Sequence, residues 1–293
     1  MLRHLRDTTK NSGLPVGSPE FFCKNLQEKK MTRRRILYLM NIACGGGRMQ
    51  EWKRPEYVWR LVLLLVLVLF GLTRLPSQSV PSSGDLQLTD EVGEKLVALT
   101  FDDGPRPGTT DRLLDGLCAR GVKATFFLVG TQIPYAPELV ERMAREGHQI
   151  GVHTLEHTAV SGLSEEAFRW QVEGERQQLY ALVGERELWL RPPYGSTDDN
   201  TARWADSPVV LWSVDPEDWK DTDVDRITRH ILDHTGDGDI ILMHDIYPSS
   251  VDSALEAVDG LRERGFCFVT VAELLERRGI APRSGQIYRQ VRW

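Results

Sequence analysis

The 293-residue sequence has only four cysteines, at positions 23, 44, 118 and 267, and no two of them form a C-x-x-C pair. That excludes a small disulfide scaffold and the thiolate zinc motifs that depend on paired cysteines. Free buried thiols are expected at Cys118 and Cys267 in preference to a disulfide between them. No H-E-x-x-H motif occurs; in "HTLEH" position 154 is Thr, which argues against a thermolysin-like mechanism. No apolar run reaches the roughly 18 residues of a full membrane span, and no internal repeat stands out. A basic excess is also missing: the net charge is −6, and beyond residue 60 there are 23 Lys/Arg against 37 Asp/Glu. A nucleic acid is therefore not an expected partner.

The remaining composition, 41% hydrophobic and 27% charged, is that of a globular protein. Charge is nevertheless unevenly placed, since residues 1–60 carry 13 Lys/Arg and 5 Asp/Glu. The border between the two regimes is the twelve-residue apolar run Leu61–Leu72, flanked by Arg60 and Arg74. Such a run has no polar face, so as a core helix it would need protein on all sides. It reads instead as a signal peptide or a short signal-anchor over residues 57–74, with the basic side kept in the cytoplasm and everything after it exported. There is no A-x-A cleavage site, only "SQS" at Ser77–Ser79, so cleaved and anchored forms both stay open. Residues 1–48 show no helix or strand period, whereas from Met49 the chain reads as an ordinary export signal with a basic start. Translation is expected to begin at Met49. Residues 75–86 form a Pro/Ser linker.

From residue 87 to 280 apolar strand candidates alternate with helical stretches. "KLVALTF" precedes a helix over about Thr110–Arg120, "ATFFLVG" precedes "PELVERMAREG", and "HQIGVH" precedes the long amphipathic "SEEAFRWQVEGERQQLYALVG". The series continues through "ELWLRPP", "PVVLWSV", "VDRITRHILDHTG", "DIILMH", "SALEAVDGLRERG", "FCFVTV" and "AELLERRG", leaving residues 281–293 as a C-terminal tail. Strands dense in Val, Ile, Leu and Phe, separated by helices that end in Gly, indicate an α/β fold of parallel strands covered by helices. A doubly wound sheet fits that pattern; the architecture expected is a distorted (β/α) barrel with its active site at the C-terminal strand ends. Five successive strand ends carry ionisable groups: "TFDDGP", "HTLEH", "RPPYG", "VDPEDW" and "ILMHD".

Asp102 and Asp103 cannot both face one ligand from within a regular strand, because neighbouring side chains point to opposite faces. If the strand ends there, Gly104 and Pro105 turn the chain and both carboxylates can converge on one cation, which removes their repulsion. A turn or helix-cap pair of aspartates is the alternative. His153 and His157 have the i, i+4 spacing that aligns two imidazoles on one side of a helical turn. With a carboxylate they make a two-His, one-Asp set with open positions, suited to zinc, cobalt or another divalent ion of that kind.

In this order and at these spacings, "TFDDGP", "HTLEH", "RPPYG", "DPEDW" and "ILMH" resemble the five signature motifs of the polysaccharide deacetylases, the NodB-homology domain or carbohydrate esterase family 4. The resemblance implies that Asp103, His153 and His157 hold the metal, that Asp102 is the general base with Arg191 as its partner, and that Tyr194 offers its backbone N–H to the oxyanion. It further implies that His244 is the general acid, tuned by an aspartate of "DPEDW", Asp215 in preference to Asp218. Trp219 and Leu242 would wall the pocket for the acetyl methyl. The chemistry is consistent, since amide hydrolysis needs an activated water, a stabilised oxyanion and a proton for the departing amine.

The expected protein is an exported, anchored or secreted, metal-dependent deacetylase acting on N-acetylated sugars of a polysaccharide, with peptidoglycan N-acetylglucosamine or N-acetylmuramic acid favoured. Chitin oligosaccharides, O-acetylated xylan and a non-catalytic glycan-binding relic are the alternatives. A glycosidase would use two carboxylates across a sugar and leave the histidines idle. Tyr135, Trp204, Trp212 and Tyr247 are candidates for stacking on sugar rings, with Trp212 equally placed to be core.

Overall fold

The computed structural model describes residues 94–292. The apolar run, the proposed start at Met49 and the linker lie outside them. Among the described residues no helix is long and apolar enough to cross a membrane.

The central strand β1 (Lys95–Asp102) is buried at every position after Lys95, which is why it reads as one continuous apolar run. Helix α1 (Thr110–Arg120) follows and stops at Gly121, whose φ of 63° gives the left-handed cap that a glycine adopts at no steric cost. Then come β2 (Thr125–Leu128), a 3₁₀ turn at Gly130–Tyr135, α2 (Pro137–Glu146), β3 (Gln149–Val152) and the long α3 (Glu165–Val183). The second half runs β4 (Trp189–Leu190), α4 (Asp199–Trp204), β5 (Val209–Val210), α5 (Val224–His234), β6 (Asp239–His244), α6 (Pro248–Glu263), β7 (Phe266–Val269), α7 (Val271–Arg277) and β8 (Ile287–Tyr288).

All eight strands belong to one parallel sheet in the order β6-β1-β2-β3-β4-β5-β8, with β7 pairing the first half of β1. The sheet curls back on itself just past β5, where Val214 bridges Ile241 of β6 in parallel. The outcome is the distorted barrel that the strand–helix alternation predicts. Residues 281–292 contribute β8 to it, and α4 is an element that the apolar pattern does not signal.

Strand alternation sorts the apolar residues into two cores. Val97, Leu99 and Phe101 of β1 face the helices, while Leu96 and Ala98 face the barrel interior with Phe127, Trp189, Val210 and Ile240. Val271, Leu274 and Leu275 of α7, with Val291 of the C-terminal segment, join that inner core. Interior packing is tight enough to dictate a glycine: a Cβ on Gly151 would stand 2.5 Å from the Phe127 ring and 2.7 Å from the Trp189 carbonyl oxygen. The inward face of β1 ends in polar side chains, Thr100 and Asp102, both buried. Cys267 is a free, partly buried thiol.

Candidate active site

Register brings the motif residues to one level. On the neighbouring strands β1 and β6, Asp102 is the direct partner of His244 and Thr100 that of Leu242. Gly151 pairs with Trp189 and Val152 with Leu190, so His153 and Arg191, one residue further along, emerge together at the ends of β3 and β4. Alternation from Trp189 sends Arg191 inward, where it is fully buried.

Burial of a guanidinium is tolerable only with partners. Nη1 of Arg191 donates to Asp102 Oδ1 at 2.8 Å and to Thr100 Oγ1 at 2.7 Å, and Nη2 donates to the Leu211 carbonyl at 3.1 Å. The guanidinium carbon lies 4.2 Å from the centre of the Phe127 ring and 5.7 Å from that of Trp212, a cation–π sandwich. Trp212 is thereby accounted for as packing around Arg191. Burial pushes the Arg191 pKa down, against the opposing charge and hydrogen bond of Asp102.

Strand β1 ends at Asp102, and Asp103 has a φ of 76°, so the two carboxylates diverge in role as well as direction. Asp103 Oδ1 lies 3.1 Å from His157 Nε2 and 3.5 Å from His153 Nε2. Asp102 instead keeps Oδ1 on Arg191 and brings Oδ2 to 3.6 Å from His153 Nε2. Burial acts to raise the Asp103 pKa, but the close approach of His157 and the charges of His153, His244 and His157 hold it below the ordinary carboxylate value.

The histidine pair meets the spacing expectation by a different route. No helix spans 153–157; His153 directly follows β3, and Thr154 (φ 70°) and His157 (φ 55°) turn the chain left-handed. The ring centres are 5.0 Å apart.

Asp103, His153 and His157 form a possible metal site, with one donor atom of each lying within 4.8 Å of the others. Three features fit a divalent cation there. Asp103 Oδ1 is buried and makes no hydrogen bond. His153 Nδ1 donates to the Arg191 carbonyl at 2.6 Å, which fixes the tautomer and leaves Nε2 with its lone pair. Tyr194 Oη stands 3.1 Å from His157 Nδ1, giving that ring a matching outer contact. The donor set, two imidazoles and one carboxylate, suits zinc or a similar ion.

Across the strand edge, His244 is held by Asp218, not by Asp215. Nδ1 of His244 faces Asp218 Oδ1 at 2.9 Å, and the His244 backbone N–H donates to Asp218 Oδ2 at 2.8 Å. Asp215 spends its Oδ1 on the Glu217 N–H at 2.9 Å, an Asx-turn that shapes its own loop. Burial lowers the His244 pKa, yet the hydrogen bond and charge of Asp218, with the charges of Asp102 and Asp103, raise it to about 9.

Leu242 is buried on the same face of β6 as His244, and Trp219 and Tyr194 are largely exposed beside the site residues that follow or precede them in sequence. Of the aromatic candidates for sugar stacking, Tyr135 is exposed. Tyr247 lies 6.4 Å from His244 between ring centres, and Trp204 packs against Phe168. Sequence reading does not find Asp245, which is buried behind Gly104 and bonded to Thr110. Its carboxyl is raised to about 7, by burial first, with the Thr110 hydrogen bond opposing.

A sequence profile described as polysaccharide deacetylase matches residues 89–207. The peptidoglycan-N-acetylmuramic acid deacetylase PdaC of Bacillus subtilis is 39% identical over 188 residues, which are 64% of this chain and 40% of that protein. The chain thus spans well under half of that relative's length. A Bacillus cereus peptidoglycan-N-acetylglucosamine deacetylase is 37% identical over 190 residues, 62% of this chain and 89% of that protein. Among solved structures, a T48 deacetylase with substrate superposes with a TM-score of 0.64 at 39% identity, over 67% of this chain and 96% of that one. With this fold, this arrangement of motif residues and these relatives, the chain belongs to the polysaccharide deacetylase family.

Proposed function

We propose that the protein is a metal-dependent deacetylase that hydrolyses acetyl groups from the N-acetylated sugars of a polysaccharide, with peptidoglycan as the substrate. The observation that carries this is the meeting, at one strand edge, of a three-donor metal set with two separately charged pairs, Asp102–Arg191 and Asp218–His244.

A divalent ion held by Asp103, His153 and His157 would polarise water and the acetyl carbonyl. Asp102 is the base: Arg191 occupies Oδ1, so Oδ2, on the side of His153, is the oxygen that accepts the proton of the attacking water. Arg191 fixes that carboxylate in direction through the 2.8 Å hydrogen bond to Oδ1. His244 is the acid. Its Nδ1 is committed to Asp218, so Nε2 carries the proton given to the departing sugar amine, and the raised pKa keeps that proton in place at neutral pH. The backbone N–H of Tyr194 is the expected donor to the developing oxyanion. Leu242 and Trp219 border the space for the acetyl methyl. Asp215 drops out of the catalytic set in favour of Asp218.

Peptidoglycan is favoured by what the relatives of known name act on, and by the basic start and apolar run at residues 61–72, which support an extracytoplasmic enzyme, anchored or released by cleavage. The test is acetate release by the full chain from peptidoglycan fragments and, separately, from chitin oligosaccharides, each with and without a chelator. Chelator-sensitive acetate from peptidoglycan supports the whole reading, acetate from chitin alone moves the substrate, and no acetate from either overturns the activity.

A further inference from the structure

The two metal-site histidines are four residues apart, yet no helix holds them in register. Something else must fix a loop that contains two left-handed non-glycine residues, each of which costs about 1 kcal/mol or more. Helix α3, packed behind the sheet, supplies it. The side chain of Glu175 accepts the His153 N–H through Oε2 at 2.9 Å, an N–H that it shares with the Leu128 carbonyl, also at 2.9 Å. One turn earlier, the Gln171 carbonyl accepts the Leu155 N–H at 2.8 Å and the Gln171 Oε1 accepts the Glu156 N–H at 3.0 Å. Three backbone donors between His153 and Glu156 thus end on two residues of one helix.

Packing reinforces the attachment. The Leu155 side chain fits between Gly130 and Gly174: a Cβ on Gly130 would lie 2.8 Å from its Cδ1, and one on Gly174 would lie 3.1 Å from its Cδ2. Glu175 itself is fully buried, and its second oxygen, Oε1, has no hydrogen-bond partner. A buried, half-satisfied carboxyl on a helix is a standing cost to the fold.

We propose that Glu175 and Gln171 are positioning residues, a two-residue clamp on α3 that holds His153 and His157 at the spacing a divalent cation needs. The proposal rests on the reading of Asp103, His153 and His157 as the metal site. Its chemistry is that of an outer-layer support, whose removal typically weakens metal binding by about 10–100-fold.

The test measures zinc affinity of the full chain by competition with a chelating dye, alongside thermal unfolding of the metal-free protein. Glu175→Leu removes the side-chain acceptor of the His153 N–H, Glu175→Gln keeps an acceptor oxygen there, and Gln171→Leu loosens the other half of the clamp. Leu179→Ala, a core change one turn along the same helix, is the control for simple destabilisation. The expected result is zinc binding weakened tenfold or more in Glu175→Leu, less in Gln171→Leu, largely restored in Glu175→Gln and unchanged in Leu179→Ala despite a lowered melting temperature. Wild-type affinity in both Glu175→Leu and Gln171→Leu would overturn the clamp while leaving the metal site standing, as would an equal loss in Leu179→Ala. If Glu175→Leu does not fold, Gln171→Leu and Glu175→Gln decide the matter by the same comparison. Failure of the wild-type chain to bind zinc would instead overturn the metal site and the clamp together.

Discussion

Replacing Asp218 by Asn removes from His244 its charged hydrogen-bond partner and leaves its burial untouched. In the native site burial alone would lower the imidazole pKa, and Asp218, aided by Asp102 and Asp103, more than offsets it, to about 9. The distance from the ordinary value near 6.5 corresponds to about 3 kcal/mol in favour of the imidazolium. Since the acid form is the one that donates to the amine, kcat/KM should hold its plateau as pH rises and fall only near pH 9. In Asp218→Asn the alkaline limb should move down toward pH 6.5 or below. At pH 8 an imidazole with a pKa of 6.5 is protonated only about 3% of the time, so a loss of roughly thirtyfold is expected there, shrinking as the pH is lowered. Initial rates of acetate release between pH 5.5 and about 10 measure both limbs. A limb that stays near pH 9 in Asp218→Asn would refute the assignment, and so would Asp215→Asn moving it as far.

Linkage makes the same pair visible in stability. Because the folded-state pKa of His244 is raised, its contribution is fully present below pH 6.5 and is lost as pH rises through about 9; the melting-temperature gap between wild type and Asp218→Asn should therefore narrow above pH 9. Asp102→Asn should cut kcat by about 10²–10⁴-fold while zinc content stays at the wild-type level, as measured by metal analysis of the purified protein. Arg191→Met strands the buried Asp102 carboxylate, whose side chain is 4% exposed; urea unfolding should show a loss of about 3–5 kcal/mol. Gly151→Ala forces a methyl against Phe127 and the Trp189 carbonyl, and should cost at least about 1–3 kcal/mol in the same assay.

Much of the fold is legible because the strands β1, β2, β3 and β6 are buried on both faces. The runs beginning at Lys95, Thr125, Gln149 and Asp239 are interrupted between their ends only by Thr100, and the helices after β1 and β2 stop at Gly121 and Gly147 with left-handed caps. Helix α4 escapes that reading because it spans only six residues and buries only Thr201; its signal is the reciprocal capping between Asp198 and Thr201. Strand β8 is two residues long and half-buried, too short for alternation to register.

At the site, residue types and strand-end positions are readable, but local backbone choices are not. An i, i+4 histidine pair suggests a helical turn, and only tertiary contacts from α3 explain why a left-handed loop achieves the same convergence. The preference for Asp215 fails for a reason that its own sequence carries. Asp215–Pro216–Glu217 is an Asx-turn in which the first carboxylate caps the loop, freeing Asp218 to turn back on β6. Glu175 and Asp245 give no sequence signal, since a single acidic residue within a helix or after a histidine reads as surface until its burial is known.

The most direct measurement is a zinc titration of the chelator-stripped protein, following acetate release from N-acetylated peptidoglycan fragments by wild type and by Asp103→Asn. Activity that is absent after stripping, rises to a plateau at one zinc per chain, and never appears in Asp103→Asn is the predicted result. Acetate release that survives removal of all divalent ions, or that returns in Asp103→Asn at the same zinc level, would contradict the metal site at the centre of this account.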